Sequence, residues 1–453
     1  MRRRSLADVA GAVGGIVVGS DVPVRTVVTD SRLAGPGALF FALQGERTDG
    51  HRFVDDARER GAAAAVVDAS RSDVVPRIEV ASTADALLSL AADERRAFGG
   101  PVVAIAGANG KTSTKDMTAA VLSERFGVHA SPGSFNNEVG LPMTLLGSGE
   151  DADVIVAELG ARRVGDVALL MGVADPSIVV VTNVGVAHIG VFGSWDAIVR
   201  ASAEPLDALR ADGVAILNAD DPVVAGLARP NGARVVTFGR SVGSDVRAED
   251  VRIGADGSPV FELVGRGGRE RVTLGVPGEH MVANALAAAA VGLELGVPID
   301  ACAASLAGAR ISHWRMETFE GRGGIRVVND AYNANPESVA AALKTAKVMA
   351  GEGRVVAVLG RMAELGDIAE AEHERIGELA ARLRIDRLIT VGTEAKTIAV
   401  AGVREGVEPD AVASYDDPEA ALADVRSHVR EGDLVLVKGS RVVGLETLAE
   451  ALR

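Results

Sequence analysis

Short apolar runs, separated by longer stretches with helical periodicity, recur through most of this chain. In its middle they occupy residues 102–106, 154–157, 178–181 and 214–217. Four more follow at 326–328, 355–359, 387–391 and 433–437. Such runs are typical of parallel strands that helices bury on both faces. The pattern predicts an α/β chain with doubly wound sheets.

With 453 residues the chain is too long for a single hydrophobic core. A Phe98-Gly-Gly-Pro101 turn signal separates a first block of short strands and helices from the first of these runs, and a Gly321-Arg-Gly-Gly324 turn opens the last block. Residues 247–276 alternate between short strand patterns and glycine-rich turns, which predicts hairpins. We therefore expect three domains, at 1–98, 99–315 and 316–453.

Charge and cysteine content narrow the classes of function. The formal net charge of −15 argues against a nucleic-acid partner, which requires a basic surface. Cys302 is the only cysteine, so we expect a small core residue in a reducing cytoplasm.

No uncharged apolar stretch reaches the roughly 18 residues that a membrane span needs. Arg2 to Arg4 precede an apolar stretch, but Asp8 interrupts it, which favours a short helix over a signal peptide.

Gly107-Ala-Asn-Gly-Lys-Thr112 follows the 102–106 run and opens a predicted helix. Glycines let backbone N–H groups face an anion, and Lys111 and Thr112 are suited to terminal phosphates and Mg²⁺. The usual spacing would place a glycine at Ile105, so a chance motif is the alternative. The strand–loop–helix context favours a phosphate-binding loop.

Two further residues follow predicted strands. Glu158 ends an apolar run, where a carboxylate is costly unless it meets a cation, so a metal role is favoured over a salt bridge. His188 follows another run, and taken alone it is more typical of a hydrogen-bonded loop histidine. The chain has 41 arginines and only six lysines, which makes each retained lysine more informative.

Several motifs, in order along nearly the whole chain, resemble those of the Mur ligases. They include Thr29-Asp-Ser-Arg32, Phe135-Asn-Asn-Glu-Val-Gly-Leu-Pro142, Asn329-Asp-Ala-Tyr-Asn-Ala-Asn-Pro336, Leu359-Gly-Arg-Met-Ala-Glu-Leu-Gly366 and Val437-Lys-Gly-Ser-Arg441. The third-block motif is similar to that of the members that add D-Ala-D-Ala to UDP-N-acetylmuramoyl-tripeptide. The Asp-Asn-Pro-Arg motif of the ligases that add the third stem residue is absent.

The resemblance implies a central P-loop ATPase sheet, flanked by an N-terminal α/β domain for the UDP-precursor and a C-terminal Rossmann-like domain. It implies an ATP- and Mg²⁺-dependent amide ligase of peptidoglycan precursor synthesis, cytoplasmic and monomeric. A substrate carboxylate attacks the γ-phosphate of ATP, and the amine of the dipeptide then displaces phosphate from the acyl phosphate. Because both steps concentrate negative charge, positioning and Mg²⁺ should dominate catalysis.

Roles for single residues are carried over from the family's motifs. The residues implied to bind the nucleotide are Gly107, Asn109, Gly110, Lys111, Thr112, Ser113, Asn284 (adenine), Arg315 (phosphates) and Asp330 (ribose). The implied metal ligands are Thr112, Glu158 and His188. The implied catalytic residues are Lys111, Glu158, His188 and Arg315. The residues implied to bind the other substrates are Ser31, Arg32, Asn136, Asn137, Tyr332, Asn333 and Asn335. A capping or surface role is the alternative for several of them, above all for Asp330, which could organise a turn. Since Arg315 and Asp330 lie where the third block begins, that domain should close over the nucleotide.

One position departs from the family pattern. Members of this type carry a carbamylated lysine that helps to hold a second Mg²⁺, and here Ala201-Ser-Ala-Glu204 places Ser202 there. Either the enzyme is active, with the metal held by Glu158, His188, water and Glu204, or the chain is a weakened relative that still binds nucleotide. The retained site residues favour the first hypothesis. A third is a Mur-type ligase for another amine, and no motif reports the third stem residue.

Overall fold

The structure is a computed structural model that describes residues 1–45, 48–69, 74, 76–227 and 232–453. Its architecture is α/β, with three large sheets that follow one another along the chain. We call the parts that carry them the first domain (sheet within 16–80), the central domain (sheet within 102–273) and the third domain (sheet within 317–438).

The first domain contains a five-stranded sheet and a small two-stranded one. The strands are β1 (Arg4–Ser5), β2 (Ile16–Val18), β3 (Pro23–Val24), β4 (Thr26–Val28), β5 (Ala38–Phe41), β6 (Ala64–Asp68) and β7 (Arg77–Val80). The helices are α1 (Leu6–Val13), α2 (Val54–Glu59) and α3 (Thr83–Ala97), with 3-10 turns at Ser31–Leu33 and Gly50–Phe53. The larger sheet has the order β2-β7-β6-β5-β4, and β1 pairs with β3. Ser5 and Asp8 form a capping box that begins α1, as expected for a short helix leading into a strand.

The central domain has a nine-stranded sheet of order β16-β15-β14-β13-β12-β11-β8-β10-β9. Its strands are β8 (Val102–Ala106), β9 (Val128–Ala130), β10 (Val154–Glu158), β11 (Ile178–Val181), β12 (Val214–Asn218), β13 (Arg234–Gly239), β14 (Val246–Ile253), β15 (Pro259–Gly265) and β16 (Gly268–Thr273). Its helices are α4 (Lys111–Leu122), α5 (Gly140–Gly147), α6 (Asp166–Ala174), α7 (Ile189–Phe192), α8 (Trp195–Asp207), α9 (Pro222–Gly226), α10 (Met281–Glu294) and α11 (Ile299–Gly308). Strands β9 to β14 pair in parallel, and β14 to β16 form the antiparallel hairpins expected from the glycine-rich turns.

The third domain has a six-stranded sheet of order β17-β18-β22-β19-β20-β21, parallel except for β17. Its strands are β17 (Glu317–Gly321), β18 (Ile325–Asn329), β19 (Val355–Gly360), β20 (Arg387–Val391), β21 (Val412–Tyr415) and β22 (Leu434–Lys438). Its helices are α12 (Pro336–Ala350), α13 (Ala369–Arg382), α14 (Lys396–Arg404), α15 (Pro418–His428) and α16 (Leu445–Glu450), with 3-10 turns at Gly366–Ile368, Pro409–Ala411 and Arg441–Val443.

Two hydrophobic cores cross the domain borders. One joins α3 of the first domain to α5, α6 and one face of the central sheet. The other joins the opposite face of that sheet, with α10, to α12 and one face of the third sheet. The central sheet is therefore buried on both faces, as its apolar runs predict.

The strands expected from the eight apolar runs are all present, with ends that differ by at most one residue. Cys302 is a fully buried, free thiol on α11, which confirms its core position. Among the described residues, every helix is too short or too polar to cross a membrane.

Candidate active site

The candidate site lies at the carboxyl ends of three neighbouring central strands. β8 has β10 on one side and β11 on the other, so the chain leaves this point in opposite directions. Ligands of open α/β sheets bind at such a switch point. Gly107 follows β8, Glu158 ends β10, and Thr182 and Asn183 follow β11.

The backbone of the phosphate loop fits an anion and leaves no room for larger side chains. Gly107 has φ +131°, and a Cβ there would lie 2.1 Å from Thr182 Oγ1. Gly110 has φ +79°, and its Cβ would lie 2.3 Å from Asn284 Oδ1, which places Asn284 directly beside the loop. The residues after β11 hold the backbone of Asn109 in place. Its N–H donates to Asn183 Oδ1 at 2.7 Å, and its carbonyl accepts from Thr182 Oγ1 at 2.7 Å. This cradle fits a nucleotide phosphate.

Lys111 begins α4, and its ammonium is held inside the loop. Nζ donates to the carbonyls of Gly107 and Ala108 at 2.7 and 3.1 Å. Burial lowers the pKa of Lys111, an effect that Glu158 opposes and Arg315 reinforces. A desolvated cation at a helix N-terminus is stabilised by an incoming phosphate. Ser113, the next residue but one, is buried in the first turn of the same helix.

Thr112 and Glu158 hold two side-chain oxygens close together beside the loop. Thr112 Oγ1 donates to Glu158 Oε2 at 2.7 Å, and Asn136 Nδ2 donates to Oε1 at 2.7 Å. Glu158 is only 1% exposed, and its backbone N–H donates to Ser131 Oγ at 3.2 Å. A hydroxyl and a carboxylate held together suit Mg²⁺, so these residues fit the ion that the sequence resemblance implies.

His188 stands at the start of α7 and is turned toward the third domain. Its Nδ1 forms a hydrogen bond with the carboxylate of Glu364. Burial lowers the pKa of His188, while Glu364 acts in the opposite direction. Within the described parts of the chain, no three His, Cys, Asp or Glu side chains are grouped closely enough to hold a metal ion. The structure pairs Thr112 with Glu158, and it pairs His188 with Glu364.

Ser202 and Glu204 both lie on α8. Ser202 Oγ donates to the carbonyl of Ile198, one turn earlier, at 2.8 Å. Glu204 accepts backbone N–H groups of Gly165 at 2.5 Å and Ala168 at 2.9 Å, and so caps the start of α6. Both oxygens of Glu204 accept hydrogen bonds in this cap, and its suggested part in holding a metal ion stays a prediction.

Asp330 follows β18 of the third domain. It accepts from Lys438 Nζ at 2.5 Å and from the N–H of Met316 at 3.1 Å. Arg315 stacks on the ring of Tyr332, with its guanidinium carbon 4.2 Å from the ring centroid, and its Nε is buried without a partner among the described residues. An orphaned guanidinium N–H beside the loop fits a phosphate ligand.

The next motif residues contact the central domain directly. Tyr332 hydroxyl pairs with Ser134 Oγ, and burial raises the pKa of Tyr332. Asn335 caps α12 and also donates from Nδ2 to Asn109 Oδ1 at 2.6 Å, so its side chain joins the third domain to the phosphate loop. Asn333 is exposed, and its carbonyl accepts from Lys438 at 3.0 Å.

The remaining candidates serve local structure. Asn137 accepts from the N–H of Gly140 at 2.8 Å, at the start of α5. In the first domain Ser31 is buried and begins a 3-10 turn, while Arg32 is exposed and lowers the pKa of Asp30 to about 2 through their hydrogen bonds. These contacts leave the substrate roles expected for Ser31, Arg32 and Asn137 as predictions.

Sequence reasoning assigned no role to three residues that shape the site. They are Lys115, which donates to the carbonyls of Ser131 and Gly133 at 2.7 Å each, Glu364 and Lys438. The scarcity of lysine was the available signal, since three of the six lysines, Lys111, Lys115 and Lys438, lie here.

Comparison with known families places this geometry among amide ligases. Residues 23–95 match "Mur ligase family, catalytic domain", 105–292 match "Mur ligase middle domain", and 314–441 match "Mur ligase, glutamate ligase domain".

Relatives and solved structures match over nearly the full length. The UDP-N-acetylmuramoyl-tripeptide–D-alanyl-D-alanine ligases of Mycobacterium tuberculosis and Escherichia coli are 41% and 35% identical, over 99% of this chain and 97% and 98% of theirs. A crystal structure of MurF from Acinetobacter baumannii has TM-score 0.88 and 31% identity, covering 100% of this chain and 99% of that one. MurF from Thermotoga maritima in complex with ADP has TM-score 0.82 and 29% identity, covering 95% and 97%.

Proposed function

Because this chain belongs to the Mur ligase family, we propose which of its residues act in each step of that family's reaction. The chain is an ATP-dependent ligase that adds D-Ala-D-Ala to UDP-N-acetylmuramoyl-tripeptide in peptidoglycan precursor synthesis. The observation that carries the residue-level proposal is the phosphate loop, with the Thr112–Glu158 pair beside it.

In the first step an oxygen of the tripeptide carboxylate forms a bond to the γ-phosphorus, and the bond from that phosphorus to the β–γ bridging oxygen breaks. Loop N–H groups and Lys111 hold the phosphates as ADP leaves. Thr112 and Glu158 would hold Mg²⁺, which neutralises phosphate charge when bound. Arg315, whose Nε has no partner among the described residues, would stabilise the same charge from the third-domain side.

In the second step the neutral dipeptide amine forms a bond to the acyl carbon, and the bond from that carbon to the phosphate oxygen breaks. Inorganic phosphate leaves and takes up the proton that the nitrogen loses. Alignment and exclusion of water matter here because the acyl phosphate hydrolyses readily. Tyr332, Asn333 and Asn335 approach the loop from the third domain and are proposed to border the dipeptide site. Asn136, bonded to Glu158, is proposed to contact the muramoyl-peptide together with Asn137.

The other assignments are also proposals. Asn284 beside Gly110 contacts adenine, Asp330 contacts ribose, and Ser31 with Arg32 contacts the UDP group in a domain spanning 1–98. The ATP domain spans 99–315 and the closing domain 316–453. The buried, free Cys302 supports a reducing cytoplasm, and we propose a monomer.

The test is phosphate release with ATP, Mg²⁺ and UDP-muramoyl-tripeptide, with and without D-Ala-D-Ala. Release should require the dipeptide, and Lys111→Met should abolish it. Lys344→Met, at an exposed lysine on α12, is the control and should behave as wild type. Release with a free amino acid but not with the dipeptide would indicate a Mur-type ligase for another amine.

Ser202 supports one competing function, that of a weakened relative which binds nucleotide without turnover. Ser202→Lys would restore the carbamylated side chain, and Ser202→Met would supply similar length without the amine. We expect wild-type turnover to be independent of bicarbonate and Ser202→Lys to give no gain over Ser202→Met. A bicarbonate-dependent gain in Ser202→Lys alone would favour the weakened relative.

A further inference from the structure

Two segments 176 residues apart meet beside the phosphate loop, one from each side of the central–third domain junction. Glu364 Oε2 bonds with His188 Nδ1, and Glu364 Oε1 accepts from Arg162 at 2.8 Å. The side chains of His188 and Glu364 are about equally enclosed, at 31% and 28% exposed. Arg162 is 64% exposed, so its part of the ion pair contributes little.

The backbones below these side chains are also in contact. The N–H of Gly190 donates to the carbonyl of Glu364 at 2.9 Å. A Cβ on Gly190 would lie 2.5 Å from the nitrogen of Gly366, so only glycine allows this approach. The Glu364 segment thus packs against the start of α7, and this backbone contact places the carboxylate beside His188.

Left-handed backbone conformations are concentrated at the same junction. Of the seven non-glycine residues with positive φ in the described chain, His188 (φ 64°) and Glu364 (φ 63°) are direct partners. Trp314 (φ 62°) and Met316 (φ 53°) flank Arg315. Such conformations are costly for residues with a side chain, and they persist where surrounding contacts hold them. Their grouping points to a junction built for function.

We propose that Glu364 is a positioning residue that couples docking of the third domain to the orientation of His188. A carboxylate on Nδ1 selects the tautomer that carries its proton there, and it directs Nε2 into the site as an acceptor. Because Glu364 belongs to the third domain, this orientation exists only while that domain is docked.

The inference rests on the proposed function for its kinetic test only. Hydrogen exchange of the amides in 186–193 tests docking directly, because the Gly190 N–H is bonded to the backbone carbonyl of residue 364 only while that segment is docked. Glu364→Ala keeps this carbonyl but loses the carboxylate contact with His188, which we expect to weaken docking. We expect faster exchange of this segment in Glu364→Ala than in wild type. Strand β20 should exchange unchanged, which shows that the third domain is folded.

Kinetics separate positioning from a structural role. We expect Glu364→Ala to lower kcat about tenfold with little change in KM for ATP. Glu364→Gln keeps an oxygen for the His188 N–H and should recover part of the loss. Glu378→Ala is the matched control, since Glu378 is 29% exposed and its arginine partners, Arg382 and Arg404, lie in its own domain.

Unchanged exchange at 186–193 together with a loss of less than about threefold in Glu364→Ala would overturn the inference. Equal losses in Glu364→Ala and Glu378→Ala would overturn it as well. If the dipeptide were not the substrate, no variant would turn over, yet the exchange difference would remain.

Discussion

Single atoms decide whether the phosphate loop can form. At Gly107 a methyl group would meet Thr182 Oγ1 at 2.1 Å and the Asn183 carbonyl at 3.0 Å, in a backbone conformation that L-residues rarely adopt. We predict that Gly107→Ala weakens ADP binding at least about a hundredfold, because the loop must move away from its anion-binding shape. Calorimetric titration with ADP measures this.

The control for that substitution is Gly172→Ala on α6. A Cβ at Gly172 meets nothing within 4 Å, and the residue is helical. It should leave ADP affinity unchanged and raise stability by about 0.5–1 kcal/mol. Wild-type affinity in Gly107→Ala would show that the loop has more room than its glycine geometry indicates.

At the scale of elements, the residue that caps α12 also contacts the phosphate loop of the active site. Asn335 accepts the N–H of Ser338 at 2.9 Å and donates to Asn109 at 2.6 Å. Asn335→Ala should cost about 1 kcal/mol of stability through the lost cap, and up to roughly tenfold in kcat/KM for ATP through the lost contact. Urea unfolding and steady-state kinetics measure the two effects separately.

Asp417 provides the comparison, because it caps α15 of the same domain by accepting from Ala420 at 2.9 Å. Asp417→Ala should cost a similar free energy of unfolding without changing kcat/KM. Equal kinetic losses in both variants would mean that the effect of Asn335 comes from domain stability alone.

The sequence predicted elements well and contacts between distant elements poorly. Parallel strands such as β8 and β10 show as apolar runs, since both of their faces are buried. Their ends therefore located Lys111 and Glu158. The sequence cannot distinguish a Glu204 carboxylate that binds a metal from one that caps α6. Nor does it show the pairing of Glu364 with His188, because that pairing depends on how two domains dock. Asn335 before Pro336 is itself a capping signal that the substrate assignment left unused.

At the scale of the whole molecule, the three sheets are not independent units. The core shared by α3, α5 and α6 joins the first and central domains, and the second shared core joins the central domain to the third. The site lies between these cores, at the strand ends of the central sheet. Motion of the third domain must therefore preserve α12 packing or exchange it for other contacts.

Arg95 on α3 ties the first domain to the central one. Its guanidinium is buried and donates to the carbonyls of Ala174, Asp175 and Phe98, each at 2.8 Å. Arg95→Ala would leave these acceptors without their donor, at a cost of about 2–4 kcal/mol. We predict that calorimetry shows one joint transition for the first and central domains in wild type and a separate first-domain transition at lower temperature in Arg95→Ala.

Arg96→Ala, at a neighbour that is 68% exposed, is the control and should change stability by less than about 0.5 kcal/mol. A first domain that already melts separately in wild type would show that the shared core does not couple the two domains.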